Sequence, residues 1–312
     1  MSAFYTVTKK ELQDHFNNWR FMIMFLVIFA GIVYIIYSAA NLKAAASNLS
    51  GENIFLQLFT TPAFTNTNTL IPTSFLSLMA ILLPVVGIVL GLDAINSEKN
   101  NGTLSHLVSQ PIYRDNIINA KFLAGLITVA VTLTSIVLVS TGIGILKLGL
   151  PPSVEEFGRL FFFLIIGIIY GGFWLGLAIL FSTLFKQTAV SAVLSIGVWI
   201  FFAFFYPIIY TSIVAQADSI AKAQSAIFVA RLSPIYLFTE SMVVTLVPAT
   251  RSASQLLTIF TTDAANYLMT TPLSFWQSFI SVWPQIIVTV LLTVVCFVIS
   301  YVKFMFEEIR AL

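Results

Sequence analysis

The sequence predicts an all-α membrane protein with six transmembrane helices. The chain has 312 residues, of which 58% are hydrophobic and 9% are charged, and its mean hydropathy is +0.96. Soluble domains are about 25% charged, so this composition lies far outside their range. Because a bilayer core about 30 Å thick requires roughly 20 apolar residues of helix, uncharged runs of that length identify candidate spans. These runs lack the alternation of polar and apolar residues that a membrane β-barrel requires.

Six uncharged apolar runs are long enough to cross a bilayer. They predict spans 1 to 6 at about 21–40, 70–92, 122–146, 161–185, 189–213 and 280–302. With their connections, these spans form one transmembrane domain at 21–312, which follows a separate segment at 1–20. The longest connection, 214–279, joins spans 5 and 6. Its apolar stretch at 234–247 is too short for a span and contains Glu240, so it predicts a re-entrant or interfacial helix.

The segment 1–20 has the pattern of a helix that lies on the membrane surface. Its large apolar residues fall at helical spacing on one face: Tyr5, Leu12, Phe16 and Trp19. Charged residues occupy other positions, which is typical of an interfacial helix. A signal peptide is disfavoured because the apolar run that follows is too long for the hydrophobic region of such a peptide.

The basic residues predict that both termini are cytoplasmic. If the termini, the 93–121 segment and the 185–188 link lie on one side, that side holds most basic residues close to the spans: Lys9, Lys10, Arg20, Lys99, Arg114, Lys121, Lys186, Lys303 and Arg310. The other basic residues are spread over longer segments. The positive-inside rule assigns the first side to the cytoplasm, which places 214–279 outside.

The six runs contain no Asp, Glu, Lys, Arg or His. Proton-driven carriers, pumps and voltage sensors need such groups within the bilayer, so these classes are disfavoured, while sodium coupling through backbone carbonyls stays open. The chain has no GxxxxGK[ST] phosphate loop, and its single Cys and two His cannot form a metal cluster or a catalytic triad. We therefore expect a protein that is not an enzyme, holds no cofactor of its own and receives energy from another chain.

The cytoplasmic segment 93–121 contains a short predicted helix at 103–110. Asn101-Gly102 is a turn signal, Thr103 is a suitable N-cap and Pro111 ends the helix. Three aliphatic residues share one face: Leu104, Leu107 and Val108. Two helical turns are not stable alone in water, so this face packs either on the protein's own helix ends or in a groove of a soluble partner.

The stretch LDAINSEKNNGTLSHLVSQPIYRDNIINAKFLAG at 92–125 resembles the ABC-2 type family of ABC-transporter permeases. That family has an acidic residue before Gly-Thr-Leu, a Pro-containing turn, a basic residue and a Lys that opens span 3. The matching residues are Glu98, Gly102, Thr103, Leu104, Pro111, Arg114 and Lys121. The resemblance extends over the whole chain and includes type V exporters. Within the family, the sequence is similar to the prokaryotic permeases of gliding-motility and nitrous-oxide-reductase maturation systems.

The resemblance implies the permease subunit of an ATP-driven exporter in a prokaryotic-type cytoplasmic membrane. It implies a dimer of this chain, or of this chain with a similar permease, and two separate ATPase subunits that bind ATP and Mg²⁺. The 103–110 helix would be the coupling helix between spans 2 and 3. The residues implied in coupling are Glu98, Gly102, Thr103, Leu104, Leu107, Val108, Pro111 and Arg114. Nucleic acid is not an expected partner, because the net charge is only +2.

The sequence leaves alternatives open for the role of the span 4 glycines and for the function of the chain. In span 4 the pairs Gly167 with Gly171 and Gly172 with Gly176 allow close helix approach, either within the chain or between subunits. The alternative functions are a stand-alone secondary carrier or channel, and a membrane anchor or sensor whose receptor part would be 214–279.

Overall fold

The fold was analysed in a computed structural model, which describes residues 3–45, 54–60, 74–100, 102, 113–215, 227–247 and 273–306. Every regular element in these ranges is helical. Six of the helices are long and apolar enough to cross a membrane, so the predicted all-α fold with six spans is confirmed. The sidedness of the termini stays a prediction.

Most of the spans contain helix that extends beyond the apolar run at one end or both. In chain order they are α1 (Ala3–Asn17), α2 (Trp19–Ala45), α3 (Ile54–Thr60), α4 (Phe75–Gly91), α5 (Asn96–Asn100), α6 (Arg114–Leu148), α7 (Val154–Leu184), α8 (Thr188–Ile200), a π-helical turn (Phe201–Phe205), α9 (Tyr206–Ala215), α10 (Pro234–Leu246) and α11 (Phe275–Phe306). Span 1 is α2, span 2 is α4 with α5, span 3 is α6, span 4 is α7, span 5 is α8 to α9, and span 6 is α11. A helix keeps its backbone hydrogen-bonded when it continues past the apolar run, so it need not end there.

Span 4 lies at the centre of the bundle. Of its most apolar stretch, 72% is buried within the chain, against 11% for span 5 and 17% for span 6. Its large side chains Phe163, Tyr170 and Trp174 are fully buried. Spans 2, 3 and 6 pack around it, which leaves much of spans 5 and 6 available to lipid or to another subunit.

Glycines allow spans 2 and 3 to approach span 4 closely. A Cβ atom at Gly87 of span 2 would lie 2.6 Å from the carbonyl oxygen of Gly171. On span 4, Gly167 faces Leu133 of span 3, and a Cβ at Gly171 would lie 2.7 Å from a methyl of Val129. The other two glycines of the predicted pairs differ: a Cβ would lie 3.0 Å from the nearest atom at Gly172 and 3.6 Å at Gly176. The small residues singled out in span 4 therefore include positions that contact other helices of the same chain.

We predict that Gly87→Ala destabilises the bundle by about 2–3 kcal/mol, because the added methyl meets backbone atoms that cannot move independently. Gly197→Ala in span 5 is the matched control, since a Cβ there meets nothing within 4 Å. Unfolding in SDS, followed by circular dichroism, measures both. Equal unfolding midpoints for the two variants would contradict the close contact between spans 2 and 4.

Side chains from spans 4 and 5 compensate for a proline inside span 2. Pro84 has no N–H to donate to the carbonyl of Ala80. Tyr170 Oη donates a hydrogen bond to that carbonyl at 2.8 Å, and Trp199 Nε1 donates to the carbonyl of Ile81 at 3.1 Å. Backbone groups within a membrane must be satisfied by the protein itself, so these bonds stabilise the proline-containing helix.

Two short helices, α3 and α10, pack at the end of the bundle that contains the start of span 4, which we call the Arg159 end. The opposite end, which contains the start of span 3, is the Lys121 end. The helix α3 buries its apolar side chains: Phe55, Leu56, Leu58 and Phe59. The helix α10 is buried as well and contacts spans 2, 4 and 6. The ring of Phe238, in α10, stacks on the ring of Tyr170 with 4.1 Å between the centroids. Tyr170 lies about three helical turns further along span 4 than Arg159. The helix therefore re-enters the bundle.

The start of span 4 fastens α3. Ser153 is the N-cap of span 4, and Glu156 accepts a hydrogen bond from the Ser153 N–H at 2.8 Å. The other carboxylate oxygen of Glu156 accepts from the N–H of Phe55 at 3.1 Å. One buried carboxylate thus satisfies orphan N–H groups at two helix starts.

Candidate functional site

The Lys121 end contains a buried cluster of charged side chains. Lys121 Nζ donates hydrogen bonds to Glu11 Oε2 and Glu98 Oε1, each at 2.9 Å. The side chains of Lys121, Glu11 and Glu98 are 4%, 9% and 12% exposed. They come from three different helices: span 3, α1 and α5. We call these three residues the ion cluster.

Opposite charges make this burial tolerable. A buried ionised group is costly unless it is paired and hydrogen-bonded. Lys10 lies at the rim of the ion cluster, with its Nζ 3.1 Å from Glu11 Oε1 and 3.6 Å from Glu98 Oε1. Burial disfavours the ionised form of Glu11, but the charges and hydrogen bonds of Lys121 and Lys10 outweigh it and hold the pKa of Glu11 below its usual range. Glu11 is therefore ionised at neutral pH.

The helix α1 has two different faces. Val7, Thr8 and Glu11 are buried and follow the spacing of one helical face, with which α1 packs on span 3. Tyr5 and Phe16, from the predicted interfacial face, are 53% and 40% exposed. An exposed aromatic face beside a packed one suits a helix at the boundary of the bilayer. The placement on the membrane surface stays a prediction.

Hydroxyl groups from spans 4 and 5 hold the turn that joins α4 to α5. Ser182 Oγ accepts hydrogen bonds from the N–H groups of Ile95 and Asn96, at 3.0 and 3.2 Å. Ser191 Oγ donates to the carbonyl of Leu92 at 3.0 Å. Buried backbone groups need such partners where a helix is interrupted. The bundle itself therefore positions α5 and the glutamate of the ion cluster that α5 carries.

The structure describes three of the residues implied in coupling. Glu98 belongs to the ion cluster and Arg114 begins span 3. Gly102 has a φ of +71°, in the left-handed region that favours glycine, and its N–H donates to the carbonyl of Lys99 at 3.2 Å. The 103–110 helix lies outside the described residues, with Thr103, Leu104, Leu107, Val108 and Pro111. The coupling role of all eight residues stays a prediction.

Sequence reasoning missed Glu11 as a member of the site. It is separated from Lys121 by 110 positions, and no local pattern connects them. A weaker signal was present, because Glu11 follows Val7 by four residues and so shares a face with an apolar side chain.

A second buried cation lies at the Arg159 end. Arg159 is 0% exposed, and its guanidinium donates five hydrogen bonds, which use all of its N–H groups. Nε and Nη2 donate to Glu155 Oε1, and Nη2 also donates to the carbonyl of Leu273 at 2.7 Å. Nη1 donates to the carbonyl of Thr245 at 2.8 Å and to Ser278 Oγ at 3.0 Å. Arg159 thus joins span 4 to the end of α10 and to the start of span 6.

The glutamate of α10 is also paired. Glu240 is 1% exposed and accepts hydrogen bonds from Arg231 Nε at 2.9 Å and Arg231 Nη2 at 2.8 Å. Such a bidentate pair fixes both position and orientation. It allows α10 to carry a carboxylate into the bundle.

Metal binding has no support in the part of the chain that the structure describes. No group of three or more His, Cys, Asp or Glu side chains that could hold a metal ion occurs there. The expectation that this chain holds no cofactor stays a prediction.

Comparison with known proteins identifies the family. A sequence model of the family described as "ABC-2 family transporter protein" matches residues 5–309. The chain belongs to this family. The match runs from α1 to beyond the end of span 6, so it includes the ion cluster and the Arg159 end. The protein is therefore the ABC-2 permease subunit of an ABC transporter, and it is a multi-pass membrane protein.

Two relatives agree with this assignment. The "Probable ABC transporter permease protein NosY" of Stutzerimonas stutzeri is 29% identical over 226 residues, which are 70% of the ABC-2 permease chain and 73% of that protein. The protein of the same name from Pseudomonas aeruginosa is 28% identical over 225 residues, with the same shares. Both are named as permeases, in accord with a chain that lacks a phosphate loop.

Proposed function

We propose that this ABC-2 permease is the membrane-spanning subunit of an exporter that takes its energy from two separate ATPase subunits. The ATPase subunits bind ATP and Mg²⁺ and engage the 103–110 helix on the cytoplasmic side, where both termini lie. Two permease chains, identical or similar, form the translocation path in the cytoplasmic membrane. Lipid surrounds them.

The ion cluster is the observation that carries this proposal. Glu98 precedes the 103–110 helix by five residues, and Lys121 lies in the second turn of span 3, which follows that helix. Their side chains meet at 2.9 Å in a buried place, so both ends of the segment are anchored at one point. A docking element transmits motion only if its base is rigid. Here the base is connected directly to spans 2 and 3.

The charges of the bundle support an external source of energy. The buried cations Lys121 and Arg159 lie at opposite ends, outside the apolar runs; Lys121 is paired with two carboxylates and Arg159 with one. An ion-driven carrier instead needs ionisable groups within the bilayer that gain and lose their partners. The six apolar runs contain no such groups, and Glu240, which α10 carries into the bundle, is held by Arg231 in a bidentate pair.

Purification of the tagged permease from its own membranes tests the proposal. We expect an ATP-binding cassette ATPase to co-purify, and we expect Leu104→Asp and Leu107→Asp to abolish this association by placing a charge on the apolar face of the helix. Ser105→Asp and Ser109→Asp place the same charge on the polar face and should retain the ATPase.

Other results would favour the alternative functions. If Leu104→Asp and Leu107→Asp leave ATPase binding and ATP-dependent transport intact, the coupling role is wrong. Substrate flux in vesicles that contain only this chain would indicate a carrier or channel. Partner binding without transport would indicate an anchor or sensor.

A further inference from the structure

Glu11 uses both carboxylate oxygens in contacts with the ion cluster and its rim. Oε2 accepts a hydrogen bond from Lys121 at 2.9 Å, and Oε1 accepts one from Lys10 at 3.1 Å. The buried side chain of Val7, on the same face, also holds α1 on the bundle by apolar packing. Burial of a carboxylate costs free energy, which is offset only when an oppositely charged partner is held in good hydrogen-bonding geometry.

The helix α1 contacts both helices that border residues 101–113, the connection that contains the 103–110 helix and that we call the coupling segment. Glu11 binds Lys121 in span 3, which follows the segment, and Lys10 Nζ lies 3.6 Å from Glu98 Oε1 in α5, which precedes it. The two ends also bind each other through Lys121 and Glu98. Three helices are therefore joined by charged contacts at one point, and α1 is the one of the three that does not adjoin the coupling segment.

We propose that the ion cluster clamps both ends of the coupling segment against α1, and that Glu11 is a positioning residue for the docking of the ATPase subunits. This inference rests on the proposed function. The clamp makes α1, α5 and the start of span 3 move as one body, so the ATPase meets a segment whose ends are already ordered. Loss of the clamp reduces the population of the docking-competent arrangement, and the apparent affinity falls in proportion.

Distance measurements on the permease alone test the clamp. Spin labels are attached to Gln13→Cys on α1 and Tyr113→Cys before span 3, both exposed positions, in a Cys296→Ser background in lipid nanodiscs. We expect a narrow distance distribution for this parent protein and a broader one after Glu11→Gln. Asp14→Asn is the matched control, because it removes the same charge from the same helix at a side chain that is 61% exposed. It should leave the distribution narrow.

Binding of the co-purified ATPase subunits to the reconstituted permease tests the positioning role. We expect Glu11→Gln to weaken their association about tenfold, as a drop of the competent population to about one tenth requires. Asp14→Asn should bind like the unchanged chain. Glu11→Asp keeps the charge but is one methylene shorter, so its affinity for the ATPase should lie between those of Glu11→Gln and Asp14→Asn. It serves as the second variant if Glu11→Gln does not fold.

The possible failures are distinguishable. An unchanged distance distribution in both Glu11 variants, or equal effects of Glu11→Gln and Asp14→Asn, overturns the clamp and leaves the proposed function in place. If the unchanged chain binds no ATPase although Glu11→Gln broadens the distribution, the proposed function fails, and the positioning role fails with it.

Discussion

Replacement of Lys121 by methionine is expected to lower the free energy of unfolding by about 3–5 kcal/mol, the usual cost of breaking a buried ion pair from one side. Methionine has a similar length, but it removes the buried cation between Glu11 and Glu98 and leaves these carboxylates with Lys10, which lies at the exposed rim of the ion cluster. Two buried carboxylates then either repel each other or take up a proton. Unfolding in SDS, followed by circular dichroism, measures the loss.

Lys9→Met is the control for the loss of a lysine, because Lys9 is exposed on the same end of the molecule. It should unfold like the unchanged chain. The triple variant Glu11→Gln, Glu98→Gln, Lys121→Met is expected to recover most of the stability, because neutral groups of similar shape remove the unpaired charges. If Lys121→Met is as stable as Lys9→Met, the ion cluster does not stabilise the fold.

Replacement of Arg159 by methionine is expected to cost a similar amount, about 3–5 kcal/mol, because several buried acceptors lose their donors together. The carbonyls of Thr245 and Leu273 and the hydroxyl of Ser278 all depend on this guanidinium. The helix α10 and the start of span 6 should loosen first. Hydrogen exchange in α10 should therefore increase along with the loss of stability in SDS.

Arg159→Lys and Glu155→Gln separate charge from geometry. Lysine keeps the charge but offers three donors from one atom, so it cannot reach all of the acceptors and should give an intermediate loss. Glu155 is 50% exposed, and glutamine keeps an amide oxygen that can accept from Nε and Nη2, so Glu155→Gln should cost less than the loss of the whole guanidinium. Equal stability of Arg159→Met and Glu155→Gln would contradict the role of Arg159 as a link between helices.

The number of spans was predictable because it depends on a local property. Each span is an uninterrupted run of apolar residues, and the bilayer sets the length that such a run must have. The short length of the 234–247 stretch was also a local property, and it argued against a seventh span. The family could be recognised from Glu98, Gly102 and their neighbours, since the motif is contiguous.

The packing of the helices inside the bundle was harder to predict from the sequence. Sequence reasoning found the small residues of span 4 but missed Gly87 of span 2, whose partner lies 84 positions further along the chain at Gly171. It predicted no element at 54–60, although Phe55 and Phe59 in this range are buried. A seven-residue helix carries too little periodicity to reveal which of its faces has a neighbour.

The sequence by itself determined that the chain is a membrane protein of six helices and a member of the ABC-2 permeases, because hydrophobic runs and contiguous motifs are written along the chain. Only the tertiary structure decided which charges meet. Glu11 pairs with Lys121 across 110 positions, and Arg159 bonds Ser278 across 119. Burial decides the energy of such contacts, and burial is a property of the packed bundle that no local stretch of sequence contains.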